Sequence, residues 1–283
     1  MTDTDIDTLI TKIKTLTNND AFGYLQLKST WFSESFVDTI HKDKYPYVTN
    51  EFDTFFLDTS ISKFDKEIGL KFLVNEGMNN HSYDKTKIAT WIIKIWGGIK
   101  GIGSNSLQDI VDNLNKKDYL FKNISSWSKV HSFKDIKEDV IYDSKVIYSL
   151  NWLLLHLDSN PKYFLQPEGR NRKLIAFPMN AIINFKHNNL IDMSKTGSKA
   201  TDKVYLDKNE VYAKYKLLVQ QLNTKLWSDE TIDLAKLIGH EIYLRDYPFF
   251  TELLLFNMAD DVVVKDVQHS VSINMNLTFN KIS

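Results

Sequence analysis

Residues 144–157 place Val146, Ile147, Leu150, Leu153, Leu154 and Leu157 on one face at helical spacing, with Asp143 directly before them. A stripe this continuous must be covered, so the segment is a core helix and the rest of the chain has to pack around it. An Asp at its N-cap satisfies free backbone amides and complements the helix dipole, an effect of roughly 0.5–2 kcal/mol. Val140-Ile141-Tyr142 is short and apolar, so the chain reaches this cap from the interior. The question is whether Asp143 only caps the helix or also faces a ligand.

Other helical patterns flank it. Residues 5–16 repeat Ile6, Leu9, Ile10, Ile13 and Leu16 behind capping Asp and Thr residues. Residues 84–96 put Ile88, Trp91, Ile92, Ile95 and Trp96 on one face, and Gly97-Gly98 stops that helix. The glycines that follow resemble a phosphate loop, but a helix rather than a strand precedes them, so a loop between helices is expected, with Ser104 or Ser106 capping the next. Residues 207–210 (DKNE) read as a capping-box start to a helix through Leu222. A further helix is expected from Ser228 through "HEIYL", and another with Pro248 in its first turn. Residues 47–64 mix aromatic and β-branched residues and read as strand or irregular structure. Val271, Ile273, Met275, Leu277 and Phe279 alternate with polar residues, the pattern of a half-buried strand. The fold class is mainly α with a small accessory β-sheet.

The chain has 283 residues, no cysteine and no apolar run near membrane-spanning length. Disulfides, thiolate metal sites and a cysteine nucleophile are excluded, and the acidic, amphipathic start is neither a secretory signal nor a transit peptide; a cytoplasmic monomer is expected. The seven histidines do not cluster, so no metal and no cofactor are assigned. Net charge is −1, but residues 81–216 carry 22 Lys/Arg against 14 Asp/Glu, while both flanking regions are acidic. A basic middle suits a polyanion-facing cleft.

Upstream of Asp143, "FKNISSWSK" opens a helix whose first amides, at 123–126, are expected to point outward and suit phosphate, with Lys122 and Lys129 close by. Trp127 is a candidate for stacking on a base. Arg170 and Arg172, in the turn-rich stretch "LQPEGRNRKL", suit phosphate contacts or insertion into a gap in the base stack.

The order hairpin, apolar approach and helix-capping Asp in "NISSWSKVHSF…VIYDSKVIYSLNWLL" resembles the helix-hairpin-helix DNA glycosylases, in the branch with an 8-oxoguanine DNA glycosylase-like fold. The match covers residues 119–158 and extends loosely to "PEGRNRKL" and "YPFFTELLLFNMAD". The resemblance implies two lobes: a helix-hairpin-helix lobe at 81–160, and a second lobe built from 1–80 and 161–283 with a small sheet including 270–280. It also implies an enzyme that flips one nucleotide out of double-stranded DNA and cleaves its N-glycosidic bond, Asp143 stabilising positive charge on the sugar. Lys122, Asn123, Ser125 and Ser126 would hold the DNA backbone. Phe249, Phe250 and Glu252 correspond to the element lining the base pocket.

The family hairpin reads glycine, hydrophobic residue, glycine; here the slot is Asn123-Ile124-Ser125. The position of the family's lysine falls on or near Ser125, so water is expected to be the nucleophile and an abasic site the product. Lys129, one turn further, is the second candidate, as nucleophile or phosphate contact. Departure from the repair pattern leaves room for an unusual base, including a hypermodified viral cytosine in host defence. The alternatives are a non-catalytic DNA-binding or interaction protein of the same fold, in which Asp143 is only a cap, and an unrelated helical interaction module.

Overall fold

The computed structural model describes residues 1–28, 50–115, 121–167, 172–187 and 204–270. The protein is mainly helical with a small two-stranded antiparallel sheet. In chain order the helices are α1 (Asp3–Leu16), α2 (Ala21–Lys28), α3 (Asn50–Leu57), α4 (Lys63–Asn79) and α5 (Lys85–Thr90, continued by a π-helical turn at Trp91–Trp96). Then come α6 (Ser104–Asp112), α7 (Ile124–Lys134), α8 (Ser144–Leu154), α9 (Arg172–Ile175), α10 (Met179–Lys186) and α11 (Val211–Leu226). β1 (Thr231–Asp233), α12 (Ala235–Ile238) and β2 (Glu241–Tyr243) precede α13 (Phe249–Met258), and a π-helical turn at Ala259–Val263 leads into α14 (Val264–Ser270).

The apolar stripe behaves as its spacing predicts. Val146, Ile147, Leu150, Leu153 and Leu154 are fully buried in α8, which packs on α13 and α1. Among the described residues one apolar cluster runs from Ile6 to Val267 with α8 inside it. Helix α4 packs on α7. Gly69 lets α4 approach α3, because a Cβ there would lie 2.6 Å from the Phe55 ring.

Several expectations need correction. Residues 50–57 form a helix, not a strand: Phe55 and Phe56 are both buried, and burial overrides the local β-propensity. No helix runs on from Ser228. The segment is a hairpin pairing Thr231 with Tyr243 and Asp233 with Glu241, closed by α12 and by Gly239 at φ 83°. Ile232, Leu234, Ile242 and Leu244 point inward at alternate positions, a period of two that the acidic, cap-rich start concealed. Helix α11 has no capping box at 207–210 and extends to Leu226. Helix α6 begins at Ser104 with Gly103 as its N-cap, so neither Ser104 nor Ser106 caps it. The expected strand at 271–279 lies outside the described residues, and the observed sheet is the 231–243 hairpin. No helix among the described residues is long and apolar enough to cross a membrane.

Candidate active site

Asp143 is held by an extended segment that pairs with no strand among the described residues. Its backbone polar groups cannot be left unpaired in the interior, and side chains from three helices take the place of a strand partner. The Ile141 amide donates to Glu252 Oε2 of α13 at 2.7 Å, and the Tyr142 amide to Ser128 Oγ of α7 at 3.0 Å. Tyr212 and Tyr215 of α11 donate their hydroxyls to the Val140 and Ile141 carbonyls at 2.9 and 2.6 Å. Ser125 Oγ donates to the Tyr142 carbonyl at 3.2 Å. Removing one such hydroxyl strands a buried carbonyl: Tyr215→Phe is expected to lower stability by about 1–2 kcal/mol in urea denaturation.

At the end of this segment Asp143 caps α8, its Oδ1 accepting from the Lys145 amide at 2.8 Å. The other oxygen, Oδ2, lies 3.7 Å from Lys129 Nζ. The Lys129 side chain is 8% exposed, and its ammonium also reaches the Ser125 carbonyl at 3.3 Å. Gly97, where the π-helical turn ends, leaves room for it: a Cβ there would lie 2.9 Å from Lys129 Cδ.

The pair borders a cavity of about 390 Å³ between α4, α7, α13 and the end of α5. Trp96, Phe133, Phe249 and Phe256 supply aromatic walls, and Glu67, Lys71 and Glu252 supply ionisable groups at its lining. Lys71 Nζ donates to Ser132 Oγ at 3.0 Å and lies 4.2 Å from the Phe133 ring centroid and 5.5 Å from that of Phe249. Burial lowers the Lys71 amine to about 8, partly offset by Glu252 and Glu67. Burial raises the Glu252 carboxyl to about 7, opposed by Lys71 and the Ile141 amide. It raises Glu67 to about 8. Lys145 lines the outer side, paired with Asp260 at 2.8 Å and lying over the Phe256 ring. A larger groove, about 740 Å³, runs beside the end of α4. Its amides Asn75 and Asn79 are committed to the Phe133 and Lys134 carbonyls.

The structure therefore brings Asp143, Lys129 and Glu252 to one cavity and leaves other candidates elsewhere. Trp127 is buried against Tyr212, ring centroids 4.6 Å apart, and is core rather than a stacking surface. Phe250 is fully buried and does not line the cavity; its neighbour Phe249 does. Ser126 is buried, and its amide and that of Trp127 donate to the Asn123 carbonyl, while the Ile124 amide donates to Phe121. The start of α7 thus does not offer the row of outward amides expected of it. Lys122 and Asn123 are exposed and Ser125 is half-buried. Asn123 has φ 58°, a conformation that favours glycine and that Asn tolerates. Arg170 lies outside the described residues; Arg172 opens α9. Among the described residues no group of three or more His, Asp or Glu side chains is placed to hold a metal.

Glu67, Lys71 and Phe256 were not singled out in the sequence, and Gly97 was read only as the stop of its helix. The one signal for the first two was a charged pair at i, i+4, which ordinarily reads as a solvated ion pair. No protein-family model, curated protein or solved structure matches the chain.

Proposed function

We propose that this protein is a DNA glycosylase that excises a base flipped out of double-stranded DNA. The observation that carries the reading is the buried Lys129 amine 3.7 Å from the helix-capping Asp143 carboxylate, at a cavity with aromatic walls. A flipped base needs stacking surfaces and polar groups for its edge, and cleaving its glycosidic bond needs a carboxylate beside the sugar to offset developing positive charge. The cavity supplies both kinds of group.

The position of Lys129 favours the amine over water as nucleophile. In that step Asp143 accepts a proton from Lys129, and the free Nζ attacks C1′ of the sugar. The glycosidic C–N bond breaks, its electron pair leaves with the base, and the base takes up a proton. The resulting aminal opens to a Schiff base. With water as nucleophile, Asp143 would accept the proton from water and the product would be an abasic site. Borohydride separates the two. Incubating the protein with DNA duplexes that differ in base modification is expected to give a covalent protein–DNA adduct on the substrate duplex, absent in Lys129→Gln. Alkali-labile strand breaks without an adduct would assign water as the nucleophile. No breaks and no adduct across the set would sink the enzymatic reading in favour of a non-catalytic DNA-binding protein.

A further inference from the structure

Displacement at C1′ calls for groups on both faces of the sugar, one to support attack and another to give the departing base a proton. Asp143 and Lys129 lie 3.7 Å apart, so both belong to the attacking face. The side of the base must be served by a different group in the same cavity. Lys71 donates to Ser132, and Lys145 is paired with Asp260. Two carboxyls remain in the lining, Glu67 and Glu252.

Their positions separate them. Glu252 is 7% exposed, and its Oε2 accepts at 2.7 Å from the amide of Ile141, two residues before Asp143. One short segment therefore fixes both carboxyls, Glu252 through Ile141 and Asp143 as its own last residue. Glu252 Oε1 makes no hydrogen bond among the described residues, which leaves it for a ligand. Glu252 is also near enough to feel the charges of Asp143 and Lys129, whereas Glu67 feels only Lys71 and Glu252. Glu67 thus stands behind Glu252, away from the pair.

We propose that Glu252 is a second catalytic carboxyl, the general acid that protonates the departing base. This rests on the glycosylase reading and names the source of the proton that the base takes up. As the glycosidic C–N bond breaks, its electron pair goes to the base, Glu252 passes its O–H proton to the base, and the base leaves neutral. Glu252 remains as a carboxylate, countered by Lys71, and takes a proton from solvent before the next turnover. Two carboxyls close together in one cavity do not both ionise readily. Asp143 has the Lys145 amide and the Lys129 amine to balance negative charge. Burial, with Asp143 adding to it, holds the Glu252 carboxyl up to about 7 against Lys71 and the Ile141 amide, so below that pH it carries a proton to give.

The test is Glu252→Gln, whose carboxamide can still accept from Ile141 but is no acid. Single-turnover excision is measured on the full chain with DNA duplexes carrying uracil, 8-oxoguanine or 5-hydroxymethylcytosine at one position, scoring strand breaks after alkali. On a duplex that the unaltered protein cuts, Glu252→Gln is expected to be at least ~100-fold slower near pH 6, with DNA binding by gel shift within a few-fold. The gap should close by about tenfold per unit as pH rises above 7, because the unaltered protein then loses its acid and the variant has none to lose. The titratable groups around Glu252 are Glu67 and Lys71 on α4, Lys129 on α7, Asp143 and Lys145 at the start of α8, and Tyr215 on α11. All are common to both proteins, so the ratio of rates isolates Glu252. A residue that only holds Ile141 would slow excision by the same factor at every pH. If Glu252→Gln does not fold, judged by far-ultraviolet circular dichroism, the alkaline fall of the unaltered protein is compared with that of Glu67→Gln. A fall that persists in Glu67→Gln supports the assignment, and one that disappears moves the acid to Glu67. Equal rates in Glu252→Gln, a gap constant with pH, or that transfer to Glu67 overturns the assignment and leaves the glycosylase reading standing. No excision by the unaltered protein on any duplex overturns both.

Discussion

Asp143→Asn is expected to lower base excision by at least ~100-fold while DNA binding, measured by gel shift, stays within a few-fold of the parent. The substitution separates the two duties of this side chain. An amide oxygen can still accept from the Lys145 amide, so the cap on α8 is largely kept and the helix should not fray. The carboxamide cannot take a proton from Lys129 or balance positive charge on the sugar. Asp143→Ala removes both functions, adding about 1 kcal/mol of lost capping to the same loss of excision. A protein in which Asp143→Asn excises as fast as the parent would have a cap and no catalyst at this position. The readout is single-turnover strand breakage after alkali, which registers the chemical step rather than product release.

The second large effect concerns Glu252. Glu252→Ala is expected to cost about 3 kcal/mol in urea denaturation, because it leaves the Ile141 amide unpaired and removes a countercharge of buried Lys71. Glu252→Gln should cost much less, since its carbonyl can still accept from Ile141. The two also differ in pH dependence. The carboxyl titrates near 4.5 when unfolded and at about 7 in the folded chain. Between these values the folded chain binds a proton that the unfolded chain has released, so raising the pH lowers stability. The stability of the parent relative to Glu252→Gln should therefore fall from pH 5 to pH 7.5, by on the order of 1 kcal/mol per unit over the transition. Glu67 acts in the same direction but is present in both proteins. Lys71, lowered to about 8 from 10.5, acts in the opposite direction only above that window. Parallel stability profiles for parent and Glu252→Gln would show that Glu252 titrates alike in both states.

The sequence was most informative where one rule governed one element. Asp143 before the 144–157 stripe is cap and core helix together, and both appear as read. It was least informative where distant segments meet. Lys129 looked one turn misplaced when measured along the chain, yet the approach 139–143 folds back on α7 and brings Asp143 to the lysine. Glu67 and Lys71 share a helix with no outward sign that their face is buried; only the packing of α4 on α7 and α13 makes it so. Trp127 shows the converse error. Its place beside the presumed hairpin suggested a stacking role, but α11 brings Tyr212 across to cover it. At 228–243 a convincing N-cap outweighed an alternation of only four apolar residues.

The segment leading to Asp143 borrows its hydrogen bonds from Ser125, Ser128, Tyr212, Tyr215 and Glu252, which lie on three helices and nowhere in sequence adjacent to it. The carboxylate is thus moored from several sides at once, like a post guyed by separate ropes. It cannot drift by local fraying, because no single turn of backbone releases it. Heat or denaturant should then displace Asp143 only as the helices themselves part, so that the site and the core fail in one cooperative event.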